Sequence, residues 1–326
     1  MTTTPHSRAL PVVLGLIAVQ LLVFVFVWRD TRDAQIRDVP VAVAAPAIVA
    51  DSLAGESNAL PGHPFRSRIL TSAADARAKV RDGVVVAALA VDLTSTTDTL
   101  YVAGAHGSTL VDAVTERILA IEKGQGRVAH VKDLVPARAH DADQHFVRVL
   151  VLVWTVLGFA FSAGIAVAKG ATAPTRAKSV ARIACLGAAS IALGLIGALA
   201  AMTTYDGHLP ALWLLGILTV FTAGVTTMAL QSLFGLAGVG ISTVIFLMLA
   251  VPDYIATSPL LLPQPWPSID PWSPHSAATS AFASIAYFGG TTVVKPLLIL
   301  VTWSVLSIGV MALARRERNL ATVGTA

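Results

Sequence analysis

HFVRVLVLVWTVLGFAFSAGIAVAK, residues 145–169, is the stretch that decides the fold. From Phe146 to Ala168 its only charged side chain is Arg148, close to the start. Such a run comes close to the roughly 20 apolar residues a helix needs to cross the hydrocarbon of a bilayer. Immediately before it, ARAHDADQ (137–144) is polar and charged, so a boundary between two kinds of structure falls at 144/145.

Working outward, the same apolar character returns in five more blocks: Ala9–Trp28, Ile183–Thr203, Leu209–Leu230, Leu233–Val251 and Val293–Ala314. The chain of 326 residues is 55% hydrophobic and only 13% charged, with a mean hydropathy of +0.72. An ordinary soluble domain is about 25% charged. The reading is an α-helical polytopic membrane protein with six transmembrane helices and an inserted extracytoplasmic α/β domain. Residues 1–28 form the N-terminal tail and first helix, 29–144 the α/β domain, and 145–326 a five-helix membrane domain. Ala9–Trp28 has the basic start of a signal peptide. Its apolar core is too long for one, and no small-residue cleavage site follows directly, so it is read as an uncleaved anchor.

Within 29–144 the pattern alternates between strand and helix. Val39–Pro46 is a β-type run, Ala47–Ser57 is helix-like and Phe65–Leu70 is extended. Ala73–Asp82 reads as a helix stopped by Gly83. Gly83–Leu93 and Thr99–Ala105 read as strands. Ser108 is expected to cap a helix to Lys123, along which Leu110, Val111, Val114, Ile118 and Ile121 recur at helical spacing. Val128–Val131 is a last short strand.

The loop between the fifth and sixth spans, 252–292, is rich in Pro and Trp. Seven prolines in its first half argue against helix there. Ser276–Phe288 is expected to form a short helix lying at the outer interface, with Trp266, Trp272 and Tyr287 at headgroup level.

Charge sets the orientation. Arg8, Lys169, Arg176, Lys178, Arg182, Arg315, Arg316 and Arg318 lie on one side. The short loops 205–208 and 252–292 on the other side carry no Lys or Arg. Both termini are therefore expected in the cytoplasm of a cell whose inner membrane holds the protein. The net charge of +4 does not point to nucleic acid. Between Arg29 and Gln144 there are 13 Lys/Arg against 15 Asp/Glu, so the excess of base sits at helix ends.

The membrane part offers little chemistry. Arg148 and Lys295 lie near outer helix ends, where long basic side chains are expected to snorkel. No Asp, Glu or His falls mid-span, which disfavours a proton-driven carrier. Small residues, among them Gly158, Ser162, Gly164, Gly194 and Gly197, suit close helix contact. In the fifth span Gly235, Gly238 and Gly240 are the helix-packing candidates, with Gly235 and Gly238 on one face. No catalytic, cofactor or metal site is assigned. Asp270–His275–Ser276 and His106–Ser108 bring the residue types of a hydrolase together, but in a Pro-rich loop and at a helix cap. The single cysteine, Cys185, permits no disulfide within one chain. No P-loop is present.

The stretches FGLAGVGISTVIFLML (234–249), SAFASIAYFGG (280–290), ARAKVRDGVVVAALAV (76–91) and TLYVAGAHGSTLVDAV (99–114) resemble the YhgE/Pip-like branch of the ABC-2 type membrane proteins. The resemblance implies a permease-like, dimeric protein with no catalytic residue. A lipid-like or amphipathic compound is the expected cargo, with energy from a separate ATPase docking at Lys169, Arg176, Lys178 and Arg182. The alternative is a receptor or assembly scaffold acting through the α/β domain.

Overall fold

The computed structural model describes residues 36–46, 58–255, 258–262, 264 and 266–323, with single positions 21, 25 and 55. The first expected span, apart from Leu21 and Val25, and most of the helix expected over Ala47–Ser57 lie outside these residues.

Five strands form one mixed sheet: β1 (Val39–Ala44), β2 (Phe65–Leu70), β3 (Ala87–Ala90), β4 (Thr97–Val102) and β5 (Val128–Asp133). The order is β2-β1-β3-β4-β5, with only the β3–β4 pair antiparallel. Side chains alternate between faces along each strand. Val39, Val41, Ala87 and Leu100 point to one face, where Leu110, Val111, Val114 and Ile118 of α2 (Ser108–Gly124) cover them. Ala42, Ala44, Ala88 and Tyr101 point to the other, where α1 (Ala73–Arg81) buries Ala76 and Val80. A sheet covered on both faces explains why VPVAVA is apolar almost throughout.

Two local expectations change. Ser108 is the first residue of α2 and does not cap it. The N-cap is Gly107, and the loose end is held by Asp143, which accepts from Thr109 N at 2.9 Å and from Ser108 Oγ at 3.0 Å. The strand expected over Gly83–Leu93 spans only Ala87–Ala90, with flanking bonds from Val86 and Val91 to β1. Its first residues instead close the end of α1, with Val84 N donating to Lys79 O.

The rest is helical: α3 (His145–Lys169), α4 (Arg176–Ala201), α5 (Leu209–Phe234), α6 (Ala237–Ile255), a short α7 (Trp266–Ile269), α8 (Pro274–Tyr287) and α9 (Val294–Val323). Among the described residues, four helices are long and apolar enough to cross a membrane: α3, α4, α5 and α9 over Val294–Arg316. The described apolar stretch of α6, Ala237–Phe246, is shorter, so six spans are not shown.

α5 is the axis of the bundle and packs against α3, α4, α6, α8 and α9. It is apolar all round, as a helix surrounded by others must be. Small residues set its distance from its neighbours. A Cβ on Gly158 of α3 would stand 2.1 Å from Val220 O, and Gly216 of α5 lies 2.9 Å from the Cα of Gly194 in α4 by the same measure. Hydroxyls then cross the gaps: Ser162 Oγ donates to Gly224 O at 2.8 Å, and Thr222 Oγ1 meets Ser304 Oγ at 2.9 Å.

α8 does not lie at an exposed interface as expected. Twelve of its residues are buried, and Ala277, Ala278, Ala281 and Phe282 share one core with α3, α4, α5 and α9. Arg148, expected to snorkel, is likewise buried. Trp272 is exposed with Lys295 over its ring, but Trp266 is buried.

Candidate functional site

The α/β domain contains a cavity of about 280 Å³ between the β1–β3 part of the sheet and the C-terminal half of α2. Ordinary ligand pockets begin at about 300 Å³, so this one suits a single chain or a small ring system. Val41, Val43, Phe65, Leu89, Val91, Ile118 and Ile121 make its wall apolar. Strand and helix geometry bring these residues together: β1 gives the run Val41–Val43, and α2 gives Ile118, Ile121 and Glu122, about a turn apart.

One end of the cavity is charged, through Asp98 of β4, Glu122 of α2 and Arg127 of the loop that follows. Arg127 grips Asp98 with two bonds of 2.6 Å, from Nε to Oδ2 and from Nη2 to Oδ1. The same Nη2 also donates to the carbonyls of Asp92 and Ser95. Asp98 is almost fully buried, and burial alone would push its carboxyl up. The bonds from Arg127 and Glu122 outweigh that and hold it below the usual range. Glu122 moves the other way. Burial, then the proton it shares with Asp98 and that neighbour's charge, push it up to about 7 against the opposing pull of Arg127. Its side chain is only 6% exposed, and Oε2 has no hydrogen-bond partner. The nearest cation, Arg127 Nε, is 3.9 Å away.

A second cavity, of about 340 Å³, lies along the seam between domain and bundle and shares no lining residue with the first. The seam is built from the tail of the domain and from α8. Tyr205 OH donates to Asp141 Oδ2 at 2.5 Å and meets Tyr287 OH at 3.1 Å. Thr291 Oγ1 donates to Asp82 O at 2.6 Å. The ring of Phe288 sits over Gly83, where a Cβ would stand 2.7 Å from it and the φ of +69° also favours glycine, and stacks on His106 at 4.9 Å. Desolvation beside Phe288 drives the half-buried His106 down to about 4, so its ring is neutral at pH 7.

Both serines of the hydrolase-type groups are engaged by a carboxylate. A serine nucleophile needs a base within hydrogen-bond reach. Ser276 gives its hydroxyl proton to Asp270 Oδ2, and Ser108 gives its own to Asp143. Among the described residues no group of His, Cys, Asp and Glu could hold a metal ion.

The basic residues expected to dock an ATPase do sit together. Arg182 ties the turn after α3 by donating to the carbonyls of Lys169 and Gly170, and Lys169, Lys178 and Arg182 line one shallow cavity beside Cys185. Arg176 begins α4. The three glycines of the fifth expected span separate. Gly235 ends α5 with a φ of +62° and has open space around it, so it serves a turn and not a helix face. Gly238 is buried, and a Cβ there would come within 2.4 Å of the backbone of Leu230; Gly240 is half-buried.

The cavity itself was not read from the sequence, although one signal for it exists. Leu110, Val114, Ile118 and Glu122 follow at intervals of four, which places the carboxylate on the buried stripe of α2. No protein-family profile, curated protein or solved structure matches the chain.

Proposed function

We propose that the chain is the membrane subunit of an ABC-2-like permease, and that its α/β domain takes up the lipid-like or amphipathic compound to be exported. The observation that carries this reading is the apolar cavity with one charged end, in a domain bound to the bundle by Asp141, Tyr205, Tyr287 and Thr291. The domain faces outward and both termini are cytoplasmic, as the one-sided distribution of Lys and Arg supports. A separate ATPase supplies the energy and docks on the basic cluster at Lys169–Arg182. The resemblance to YhgE/Pip-like proteins favours a homodimer.

Two experiments test this. The first is purification from the native membrane followed by reconstitution in vesicles. An ATPase is expected to co-purify, and an amphipathic fluorescent probe is expected to move on ATP addition. Leu89→Trp, which fills the cavity, should slow that movement. The second is labelling with an impermeant thiol reagent in intact cells, after Cys185→Ala removes the exposed native thiol. Cysteine at the exposed Ser268 should react, and cysteine at Ser179 should not. The reverse pattern would overturn the orientation.

The close packing of α3, α4 and α5 around Gly158, Gly194 and Gly216 favours a second reading, a receptor or assembly scaffold whose bundle stays closed. A stable complex with no ATPase and no probe movement would decide for it.

A further inference from the structure

Resting on the reading that the α/β-domain cavity is a ligand site, we propose that it takes an amphipathic amine: an apolar chain in the cavity and a positively charged ammonium head donating to Glu122.

The charged end of the cavity selects the head. Nε and Nη2 of Arg127 are committed to Asp98 and to two loop carbonyls, so this fork of the guanidinium is already spent on a carboxylate of the protein. Both oxygens of Asp98 accept from Arg127, and Oδ1 also accepts from Asp92 N at 2.8 Å. Oε2 of Glu122 remains: buried, lining the cavity, and without a hydrogen-bond partner. A buried carboxyl oxygen in that state is completed by a donor.

Charge narrows the choice from donor to cation. The groups facing Glu122 are Asp98 from β4 and Arg127 from the loop before β5, with Asp92 acting on Arg127 from the β3–β4 turn. Asp98 and Arg127 cancel, so an ionised Glu122 leaves the cluster one negative charge in excess inside an apolar wall. An ammonium head neutralises that charge by contact, whereas a hydroxyl head does not. A phosphate next to the amine would bring a second anion towards two carboxylates, so the class is a simple amphipathic amine and not a phospholipid. The modest volume admits one chain.

On binding, Glu122 releases to solvent the proton it shares with Asp98, and the ammonium supplies the positive charge beside the two carboxylates in its stead. Affinity should therefore rise with pH across the range in which Glu122 ionises.

The test uses the full chain in lipid nanodiscs, with octylammonium, octanol and octanoate titrated calorimetrically at pH 6 and pH 8. Octylammonium is expected to bind at least about tenfold more tightly than either other probe at pH 8, the scale of a hydrogen bond to a charged group. It should weaken at pH 6 while octanol does not. Glu122→Gln is expected to lower octylammonium to the level of octanol and to leave octanol unchanged. Should that variant fail to fold, the pH dependence of the unaltered chain carries the test. Equal binding of octylammonium by both proteins, no weakening at pH 6, or preference for octanoate overturns the amine while the cavity remains a chain site. Binding of none of the three overturns the cavity reading as well.

Discussion

Glu122 titrates near neutrality in the folded chain, at about 7 against 4.5 for a free side chain, and this has a sign. Below about pH 4.5 both states hold the proton and nothing is lost. Between there and about 7 the unfolded chain releases its proton first, so stability falls as pH rises. Glu122→Gln keeps a donor for Asp98 without the titration. The drop in thermal midpoint from pH 5 to pH 8 should shrink in the variant; an unchanged drop would remove Glu122 as its cause. His106 works in the opposite direction, at about 4 folded against 6.5 free. Its contribution is complete above about pH 6.5 and is lost as pH falls through 4, because the seam beside Phe288 desolvates an imidazolium. His106→Gln should lessen the loss of midpoint between pH 7 and pH 4.5. The spacing Leu110–Val114–Ile118–Glu122 made the burial of this carboxylate readable. Its partners were not, because Arg127 reaches Asp98 across 29 positions, and only the strand order brings them together.

At the level of elements, the glycines divide by what stands next to them. Gly158→Ala drives a Cβ onto Val220 O at 2.1 Å, so α3 must move away from α5, at a cost of about 1–3 kcal/mol. Gly164→Ala on the same helix meets nothing within 4 Å and should leave the melting temperature in detergent unchanged. Gly238→Leu should destabilise as Gly158→Ala does, through the backbone of Leu230. If Gly164→Ala matched the other two, close approach would not be the cause. The small-residue positions were visible in the sequence, but not which of them had a neighbour. Local elements were visible in more detail: Phe65–Leu70 is a strand over those same residues, and Gly83 does follow the end of α1. What misled was non-local. A serine before a helical run reads as its cap, yet Asp143, 34 positions from Thr109, does that work. The run 276–288, small and apolar, reads as an interfacial helix, yet it is the small residues Ala277, Ala278 and Ala281 that let α8 sink into the bundle.

At the scale of the whole molecule, the α/β domain takes part of its core from elsewhere. Phe288 belongs to the cluster under α1, and Leu261 to the one under α2. Residues 29–144 expressed alone should therefore unfold cooperatively but at a lower midpoint than the same domain in the full chain, and equal midpoints would show that these additions are idle. The cap on α2 has a mechanical meaning as well. Asp143 stands two residues before α3 begins at His145, so the start of one helix is fastened to the start of the other with no slack. α2 is a strut about 25 Å long at 1.5 Å per residue, and Glu122 is at its far end. Any displacement of α2 along its own axis at the cavity would reach the head of α3 through these bonds, much as a push-rod delivers stroke to a valve. Cutting the fastening with Asp143→Ala should leave octylammonium binding intact and abolish any change in Cys185 labelling rate that the amine produces. A labelling response that outlives the cut would take α2 out of the drive train.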